Sequence, residues 1–340
     1  MGLLSFFNNL YHNNKFERSY GFEDIAIKQK KNVCVSRLDA DISSEVLRDV
    51  VRPIPLIASN MSTVVNSSFC VELYQRGALG FMHRALDEEK YISEIKIIAS
   101  NCSLTCASIG IGDDQFELAK KLIKNGANII VIDIAHGFSD FVVDMAKKVK
   151  SFSKDTKLVI GNTINVKSAY EVDKYASALK VGIAQGSGCE TFMMTGCTEK
   201  HFSAVLKFKK VSKKLGLPII SDGGIKNPSD VVKSIGAGAS AVMAGQIFAR
   251  CPESSAEVIE QDGQKKKVYA GMASRYVQQM WRGGLKPGTC VEGKTLLLEM
   301  GEPLKDLLER YGGAIRSGLT YSGSSTIKDF QKKCDFILLK

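Results

Sequence analysis

Short runs of β-branched and other apolar residues alternate along the chain with longer stretches in which apolar residues recur at helical spacing. The short runs predict eight strands, at residues 55–59, 78–82, 105–110, 128–133, 157–161, 179–183, 218–222 and 240–244. The helical spacing predicts helices between them, at residues 115–125, 140–148 and 228–236. Asn227 and Pro228 are typical of an N-cap and a first helical position.

Repeated strand–helix units with short connections predict parallel strands joined by right-handed crossovers. Eight evenly spaced units favour an α/β fold of the (β/α)8 TIM barrel type over a doubly wound sheet. Since no shift in composition marks a second domain, we expect residues 1–340 to form one domain. Residues 1–50 are then an N-terminal extension packed on the barrel. A Gly-rich stretch at 281–288 suggests that residues 264–294 form a mobile C-terminal flap.

Composition narrows the class of protein. With 44% hydrophobic residues in 340, the chain can bury a large core. No uninterrupted apolar stretch is long enough for a transmembrane helix, so no membrane partner is expected. The nine Cys are scattered and odd in number, and the first residues lack a signal-peptide pattern; both favour the cytoplasm. Lys and Arg exceed Asp and Glu by 10, but they are dispersed, so no nucleic-acid partner is predicted.

Polar and Gly-rich residues follow six of the eight predicted strands. In this type of barrel the active site lies at the carboxyl ends of the strands, so these residues predict a pocket. The segments are 59–63, 133–137, 161–163, 186–191, 222–224 and 245–246. Glycines after the seventh and eighth strands allow backbone N–H groups to approach a ligand closely, which favours a phosphate there; the alternative is that they only form tight turns.

Cys189 lies in a Gly-rich loop and not in an apolar run, so it is a candidate nucleophile, although a structural role is the commoner one for a cysteine. Asp222 ends a strand before two glycines, where it is suited to accept hydrogen bonds from a ribose diol or to cap a turn. His136 follows another strand end and is a candidate for the pocket or a helix cap. His201 is interpreted as a surface residue. No Cys–His pair can be assigned.

Several ordered motifs resemble those of the inosine monophosphate dehydrogenase and GMP reductase superfamily. Each motif is weak alone, but together, in this order, they are highly specific. They are Ser59-Asn60-Met61-Ser62-Thr63, Asp133-Ile134-Ala135-His136-Gly137, Gly186-Ser187-Gly188-Cys189-Glu190-Thr191, Ser221-Asp222-Gly223-Gly224-Ile225, Val242-Met243-Ala244-Gly245, Tyr269-Ala270-Gly271-Met272-Ala273-Ser274, Glu292-Gly293-Lys294 and Gly312-Gly313-Ala314-Ile315-Arg316-Ser317.

The resemblance implies a purine nucleoside monophosphate, GMP or IMP, whose ring carbon C2 is attacked by Cys189. It implies Thr191 as a second catalytic residue that relays a proton. The implied substrate-binding residues are Ser59, Ser187, Asp222, Gly223, Gly224, Gly245, Gln246, Tyr269, Gly271, Met272 and Ala273. Asp222 holds the ribose in this scheme, and residues around Ser187, Gly224, Gly245 and Tyr269 surround the phosphate.

The resemblance also implies a nicotinamide cofactor near Asp133, Ala135 and Asn162. Carbonyl groups of Gly186 and Cys189 match a loop that binds potassium in many dehydrogenases, but Ala184 replaces a usual Gly in that loop. A homotetramer is expected from the same resemblance.

The reductase branch of the superfamily is the better match. Dehydrogenases usually carry a pair of CBS modules after the second strand, whereas only residues 83–104 separate the second and third strands here. The flap segment is short, as in reductases. This branch implies NADPH-dependent reductive deamination of GMP to IMP and ammonia through a covalent intermediate on Cys189.

Two positions depart from the reductase pattern. Arg275 stands where a Glu is expected to work with Thr191, with Glu190 as a substitute, and Ser62 replaces an Asp or Gln. Three alternatives therefore stay open. One is a dehydrogenase without CBS modules, in which Arg275, Tyr276 or Arg282 activates water. Another is a reductase of a modified or deoxy purine nucleotide. The third is a nucleotide-binding barrel without turnover.

Overall fold

Eight parallel strands form the centre of the molecule in a computed structural model that describes residues 17–339. In chain order they are β1 (Leu56–Ala58), β2 (Leu79–Gly80), β3 (Cys106–Ile109), β4 (Ile129–Asp133), β5 (Lys157–Thr163), β6 (Ala178–Val181), β7 (Ile219–Asp222) and β8 (Ala241–Ala244). The order in the sheet is β2-β1-β8-β7-β6-β5-β4-β3, so every strand pairs with its neighbours in sequence except at β2 and β3, and β8 pairs with β1. Met82, just after β2, bridges to Ala107 of β3 and closes the circle. The predicted (β/α)8 barrel and all eight predicted strands are confirmed.

Helices cover the outside of the barrel. They are α1 (Ser67–Gln75), α2 (Glu88–Asn101), α3 (Asp113–Lys124), α4 (Asp140–Phe152), α5 (Lys167–Val172), α6 (Thr191–Thr195), α7 (His201–Leu215), α8 (Pro228–Gly236), α9 (Gln246–Ala249), α10 (Arg275–Arg282), α11 (Leu304–Tyr321) and α12 (Ile327–Lys333). The three predicted helices correspond to α3, α4 and α8. Asn227 caps α8 as predicted, because its side chain accepts the Ser229 N–H at 3.0 Å. None of the helices within residues 17–339 is long and apolar enough to cross a bilayer.

A hairpin seals the lower end of the barrel, at the amino ends of the strands. Its strands, Ser44–Leu47 and Val50–Arg52, pair antiparallel. Val46, Leu47 and Val50 are buried in one apolar cluster with inward-facing residues of the barrel strands, such as Ile129 of β4. This interior cluster is distinct from the larger one between the strands and the surrounding helices. The closed lower end leaves the carboxyl ends of the strands for chemistry.

The chain on either side of the barrel packs against it. Residues Ile25–Ile27 pair antiparallel with Phe336–Leu338, so the N-terminal extension and the C-terminus form one small sheet. Phe22 and Ile42 of the extension are buried in the outer core. The part of the predicted extension at 1–16 lies outside the described residues.

The segment predicted as a flap belongs to a small substructure beside the barrel, and its mobility stays a prediction. Three antiparallel strands, β9 (Val258–Gln261), β10 (Gln264–Ala270) and β11 (Thr295–Glu299), frame it, and α10 with the following loop lies between β10 and β11. The flap begins beside the barrel because Thr63, after β1, accepts the Ala270 N–H and donates to the Ala270 carbonyl. Residues 264–294 span β10, α10 and the loop that leads to β11.

Candidate active site

A cavity of about 350 Å³ opens at the carboxyl ends of the barrel strands. It is lined by residues from the loops after β1, β4, β5, β6 and β7 and from the flap, as the barrel architecture predicts. Among the residues predicted from the sequence, the cavity brings together Ser59, Asp133, Ala135, Asn162, Gly186, Cys189, Thr191, Asp222, Tyr269, Gly271, Met272 and Ala273. Lys180, Glu292, Arg84, Gln278, Trp281 and Arg282 also line it, although sequence reasoning gave them no place in a binding site, apart from Arg282 as a candidate to activate water.

The remaining predicted substrate residues stand beside this cavity and not in its lining: Ser187, Gly223, Gly224, Gly245 and Gln246. The hydroxyl of Ser187 donates to the side-chain oxygen of Gln246. A Cβ on Gly245 would lie 2.6 Å from the hydroxyl oxygen of Tyr269, so a side chain there would collide with the phenol. Gly223 has a φ of 112°, a backbone conformation that favours glycine. We call the side chains of Ser187, Gln246 and Tyr269 the polar wall of the site. Burial raises the pKa of Tyr269, so its phenol stays protonated and can donate a hydrogen bond.

The Cys189 thiol is connected to a carboxylate through one hydroxyl. Its Sγ donates to Thr191 Oγ1 at 3.2 Å, and Thr191 Oγ1 donates to Glu292 Oε2 at 2.7 Å. All three side chains line the same cavity. A nucleophile, a hydroxyl and a carboxylate in series can carry a proton between the thiol and a group bound above it.

Backbone pairing brings Glu292 to Thr191 across 101 positions of the chain. Cys189 forms an antiparallel bridge with Gly293, and the Glu190 N–H donates to the Glu292 carbonyl at 2.8 Å. The loop and the flap approach so closely that a Cβ on Gly271 would lie 2.3 Å from the Gly188 carbonyl oxygen. The pairing fixes Glu292 beside Thr191.

The carboxylate that contacts Thr191 is thus Glu292, and not a residue at position 275, where the family resemblance placed a Glu, or Glu190, its expected substitute. Arg275 is exposed on α10 and lines a separate surface depression. Glu190, the expected substitute, makes no side-chain hydrogen bond to any residue in the part of the chain that the structure describes. The Glu292-Gly293-Lys294 motif was visible in the sequence, but nothing local indicated that its carboxylate reaches Thr191.

Lys180 is a buried cation inside the barrel, near the carboxyl end of β6. It lies two residues after Ala178 in β6, so it points to the same interior face. Its Nζ lies 2.7 Å from Asp133 Oδ1 and 2.8 Å from Asp222 Oδ2, and its side chain is 3% exposed. Burial alone would lower its pKa, but the two carboxylates outweigh burial and raise it, so Lys180 is charged.

The same network prepares Asp222 for a ligand. Asp222 Oδ2 accepts from Lys180 and from the Asn162 amide at 2.9 Å, and its Oδ1 accepts no hydrogen bond from residues 17–339. Burial would raise the pKa of Asp133, but Lys180, Arg84 and Asn60 outweigh it and hold that pKa below its usual range. Asp133 is thus ionised, and Asp222 keeps one oxygen free for a donor such as a ribose hydroxyl.

Replacing Lys180 with Met is expected to lower the free energy of unfolding by about 3 kcal/mol, because it leaves Asp133 and Asp222 without their shared cation. Urea unfolding measures this change. Lys180→Arg retains the charge and is the matched control, with a smaller loss. Equal stability of Lys180→Met and the unaltered protein would show that the two carboxylates are adequately solvated without Lys180.

Comparison with known proteins agrees with this architecture. Residues 19–340 match the model of the IMP dehydrogenase / GMP reductase domain. The chain belongs to this family. A GMP reductase from Clostridium acetobutylicum is 33% identical over 95% of this chain and 97% of its own length. A GMP reductase from Streptococcus gordonii is 34% identical over 94% of this chain and 95% of its own length. A GMP reductase from Streptococcus pneumoniae strain Hungary19A-6 is 33% identical over 94% of this chain and 95% of its own length.

Membership of the IMP dehydrogenase / GMP reductase family makes an oxidoreductase function the supported class. Two departures from the family pattern can now be located. Ser62 lines a different cavity from that of Cys189. Ala184, which replaces a usual glycine, takes a φ of 61°, the left-handed conformation that glycine adopts more easily.

The three histidines within residues 17–339 lie outside the chemistry described above. His136 is exposed and does not line the cavity. The interpretation of His201 as a surface residue is wrong, because it is 2% exposed beneath β7, with its Nε2 2.8 Å from Ser221 Oγ. His83 is buried as well, and its Nδ1 accepts the Ala85 N–H at 3.1 Å. Burial lowers the pKa of both His83 and His201 to about 4.

Acidification is expected to destabilise the fold through these two histidines. An unfolded histidine titrates near 6.5, so between pH 6.5 and 4 the unfolded state binds more protons than the folded state, and stability falls as the pH falls. Each group contributes a loss of about 2 kcal/mol between pH 7 and 5. Chemical denaturation at a series of pH values measures the slope, which His201→Gln should reduce. An unchanged slope in that variant would contradict the assignment.

Proposed function

We propose that the protein catalyses the NADPH-dependent reductive deamination of GMP to IMP and ammonia. The contact of Thr191 with Glu292, beside the Cys189 thiol, carries this proposal. Removal of an amino group requires a proton for the leaving amine, and this pair provides a route for it. The similarity to proteins named GMP reductase supports the same direction of reaction.

In the proposed mechanism, Cys189 Sγ forms a bond to C2 of GMP, and the bond from C2 to the exocyclic amine breaks. The thiol proton and the amino group together make up the ammonia that leaves. Thr191 passes this proton, and Glu292 accepts and returns it. The C2–S bond breaks when C2 receives a hydride, which yields IMP and the thiolate. One further proton from solvent restores the thiol.

Asp133, Ala135 and Asn162 are the proposed cofactor-binding residues. They line the same cavity as Cys189, which is the arrangement that a nicotinamide needs in order to reach the carbon attacked by the thiol. When bound there, NADPH supplies the hydride. Asp222 Oδ1 accepts from the ribose of GMP, and the polar wall of Ser187, Gln246 and Tyr269 receives its phosphate.

The dehydrogenase alternative is less well supported. Tyr276, a candidate to activate water, donates its hydroxyl to Glu257 at 2.8 Å and lies outside the cavity of Cys189. Arg275 lies outside it too. Arg282 is the member of that candidate set that lines the cavity.

Two paired assays test the proposal. Purified protein receives GMP with NADPH in one assay, and IMP with NAD in the other; nicotinamide absorbance, ammonia and XMP are measured. We expect loss of NADPH with equal release of ammonia in the first assay, and little XMP in the second. Formation of XMP without deamination of GMP would establish the dehydrogenase instead. Nucleotide binding without turnover in either assay would indicate a barrel that only binds nucleotide. The first assay is repeated with dGMP in place of GMP, and faster turnover of dGMP would indicate a deoxynucleotide reductase.

Potassium binding, the homotetramer and the cytoplasmic location stay predictions. The Gly186 carbonyl accepts the Cys189 N–H at 2.9 Å, which leaves one lone pair for a cation, and no step of the mechanism requires the ion.

A further inference from the structure

The guanidinium groups of two arginines, Arg84 and Arg282, lie against the indole ring of Trp281 on the side of the cavity formed by the flap. The guanidinium carbon of Arg282 lies 3.8 Å from the ring centre of Trp281, and that of Arg84 lies 5.7 Å from it. All three residues line the cavity that contains Cys189 and Asp133. Arg84 comes from the loop after β2, whereas Trp281 and Arg282 end α10, so the barrel and the flap meet at this cluster.

The position of Arg84 is tightly defined. A Cβ on Gly110, just after β3, would lie 2.3 Å from Arg84 Nη1, so the guanidinium occupies the space that a side chain would need. Its charge acts on Asp133 deeper in the cavity, where it helps to lower that pKa. Arg84 therefore connects the flap cluster with the proposed nicotinamide region.

Neither guanidinium has a carboxylate of the described residues within ion-pair distance. Within residues 17–339, no carboxylate forms an ion pair with Arg84 or Arg282, in contrast to Arg48 and Arg310, which pair with Asp173 and Glu302. Burial and then the neighbouring Arg84 lower the pKa of Arg282 and outweigh the opposing effect of Asp114, which indicates that the two cations repel each other. Two like charges at one site are stabilised by an anion that binds both.

The charge on the other side of Trp281 has the opposite sign. A second cavity of about 550 Å³ shares Trp281 but is lined by Asp87, Glu94 and Glu257 against one cation, Lys90. An anionic group is therefore favoured on the side of the two arginines and disfavoured on the far side.

We propose that Arg84 and Arg282 form a subsite for the phosphate groups of the nicotinamide dinucleotide, with Trp281 as the platform that holds both guanidinium groups. This inference rests on the proposed function, in which the dinucleotide is the hydride donor and the phosphate of GMP is bound at the polar wall of Ser187 and Gln246. The nicotinamide lies towards Asp133, and the phosphates lie outward from it, between the barrel and the flap.

Trp281 provides a direct readout, because it is the only tryptophan of the chain. Its fluorescence is titrated with NADPH, NADH and inorganic pyrophosphate in the absence of GMP, so no turnover is needed. We expect Arg282→Ala and Arg84→Ala each to raise the Kd for NADPH by about tenfold. Arg282→Lys should recover part of the loss, since it keeps the charge without the planar fork.

Arg275→Ala is the matched control. It removes the same charge from the same helix, but Arg275 lies outside the cavity, so its Kd for NADPH should equal that of the unaltered protein. A loss confined to NADPH would assign the subsite to the 2′-phosphate, and an equal loss for NADH would assign it to the pyrophosphate. Either result supports the subsite.

Other results would overturn it. These are an unchanged Kd for NADPH in both Arg84→Ala and Arg282→Ala, an equal loss in Arg275→Ala, or a raised Kd for GMP with that for NADPH unchanged. Failure of the proposed function is distinguishable. A protein that binds NADPH through Arg282 but releases no ammonia from GMP would contradict the reaction and retain the subsite.

Discussion

Cys189→Ala is expected to lower the turnover of GMP by about 10⁴-fold or more, because no other thiol within residues 17–339 lines the cavity to carry out the covalent step. Binding of GMP should change by less than about threefold, since the proposed ribose and phosphate contacts come from Asp222 and the polar wall. Ammonia release measures the first quantity, and equilibrium binding of GMP measures the second.

Cys197→Ala is the control for this variant. Cys197 is an exposed thiol eight positions further along the chain and does not line the cavity, so its removal should leave turnover unchanged. Residual turnover of Cys189→Ala within tenfold of the unaltered protein would contradict a covalent route. Loss of GMP binding by a folded Cys189→Ala protein would indicate that the thiol acts in recognition and not in chemistry.

Glu292→Gln is expected to reduce kcat by about 10²–10⁴-fold with little change in the KM for GMP. Glutamine keeps the size of the side chain and a hydrogen-bonding contact with Thr191 Oγ1, but it cannot accept and return the proton that the leaving amine requires. The rate of ammonia release at saturating GMP measures kcat, and its dependence on GMP concentration measures the KM.

Two further variants sharpen this experiment. Glu190→Gln removes a neighbouring carboxylate that has no hydrogen-bonded partner among the described residues, and it should behave as the unaltered protein. Thr191→Val should match Glu292→Gln, and the double variant should be no slower than either, because both residues act in one relay. Additive losses would indicate two independent roles, and a normal kcat in Glu292→Gln would remove Glu292 from the proton route.

The barrel could be predicted because its signals are local. Each strand is a short apolar run, and the start of α8 is encoded by Asn227 and Pro228 within a few positions. The site could be predicted as far as it follows from the rule that loops after parallel strands converge, which brought Cys189, Asp133 and Asp222 together.

Contacts between distant segments could not be read in this way. Lys180 lies inside a strand, and its two carboxylate partners become neighbours only when the barrel closes. Glu292 reaches Thr191 through backbone pairing of the flap with the Cys189 loop, whereas the sequence directed attention to position 275 and to the neighbouring Glu190. His201 was wrongly placed at the surface because the charged residues next to it in sequence are typical of an exposed segment. In the structure the first residue of α7 packs against β7, where His201 contacts Ser221.

The hairpin at the amino ends of the barrel strands also limits where small molecules can enter and leave the barrel. Leu47 and the interior side chains above it, such as Val131 and Val159, are 0% exposed, so the space below Lys180 holds no route for solvent. In the proposed reaction, ammonia released beside Cys189 leaves on the side of the carboxyl ends of the strands, where the flap borders the cavity. Water that could hydrolyse the proposed covalent intermediate enters from the same side, so the fit of the flap over the cavity would set how far deamination outruns hydrolysis.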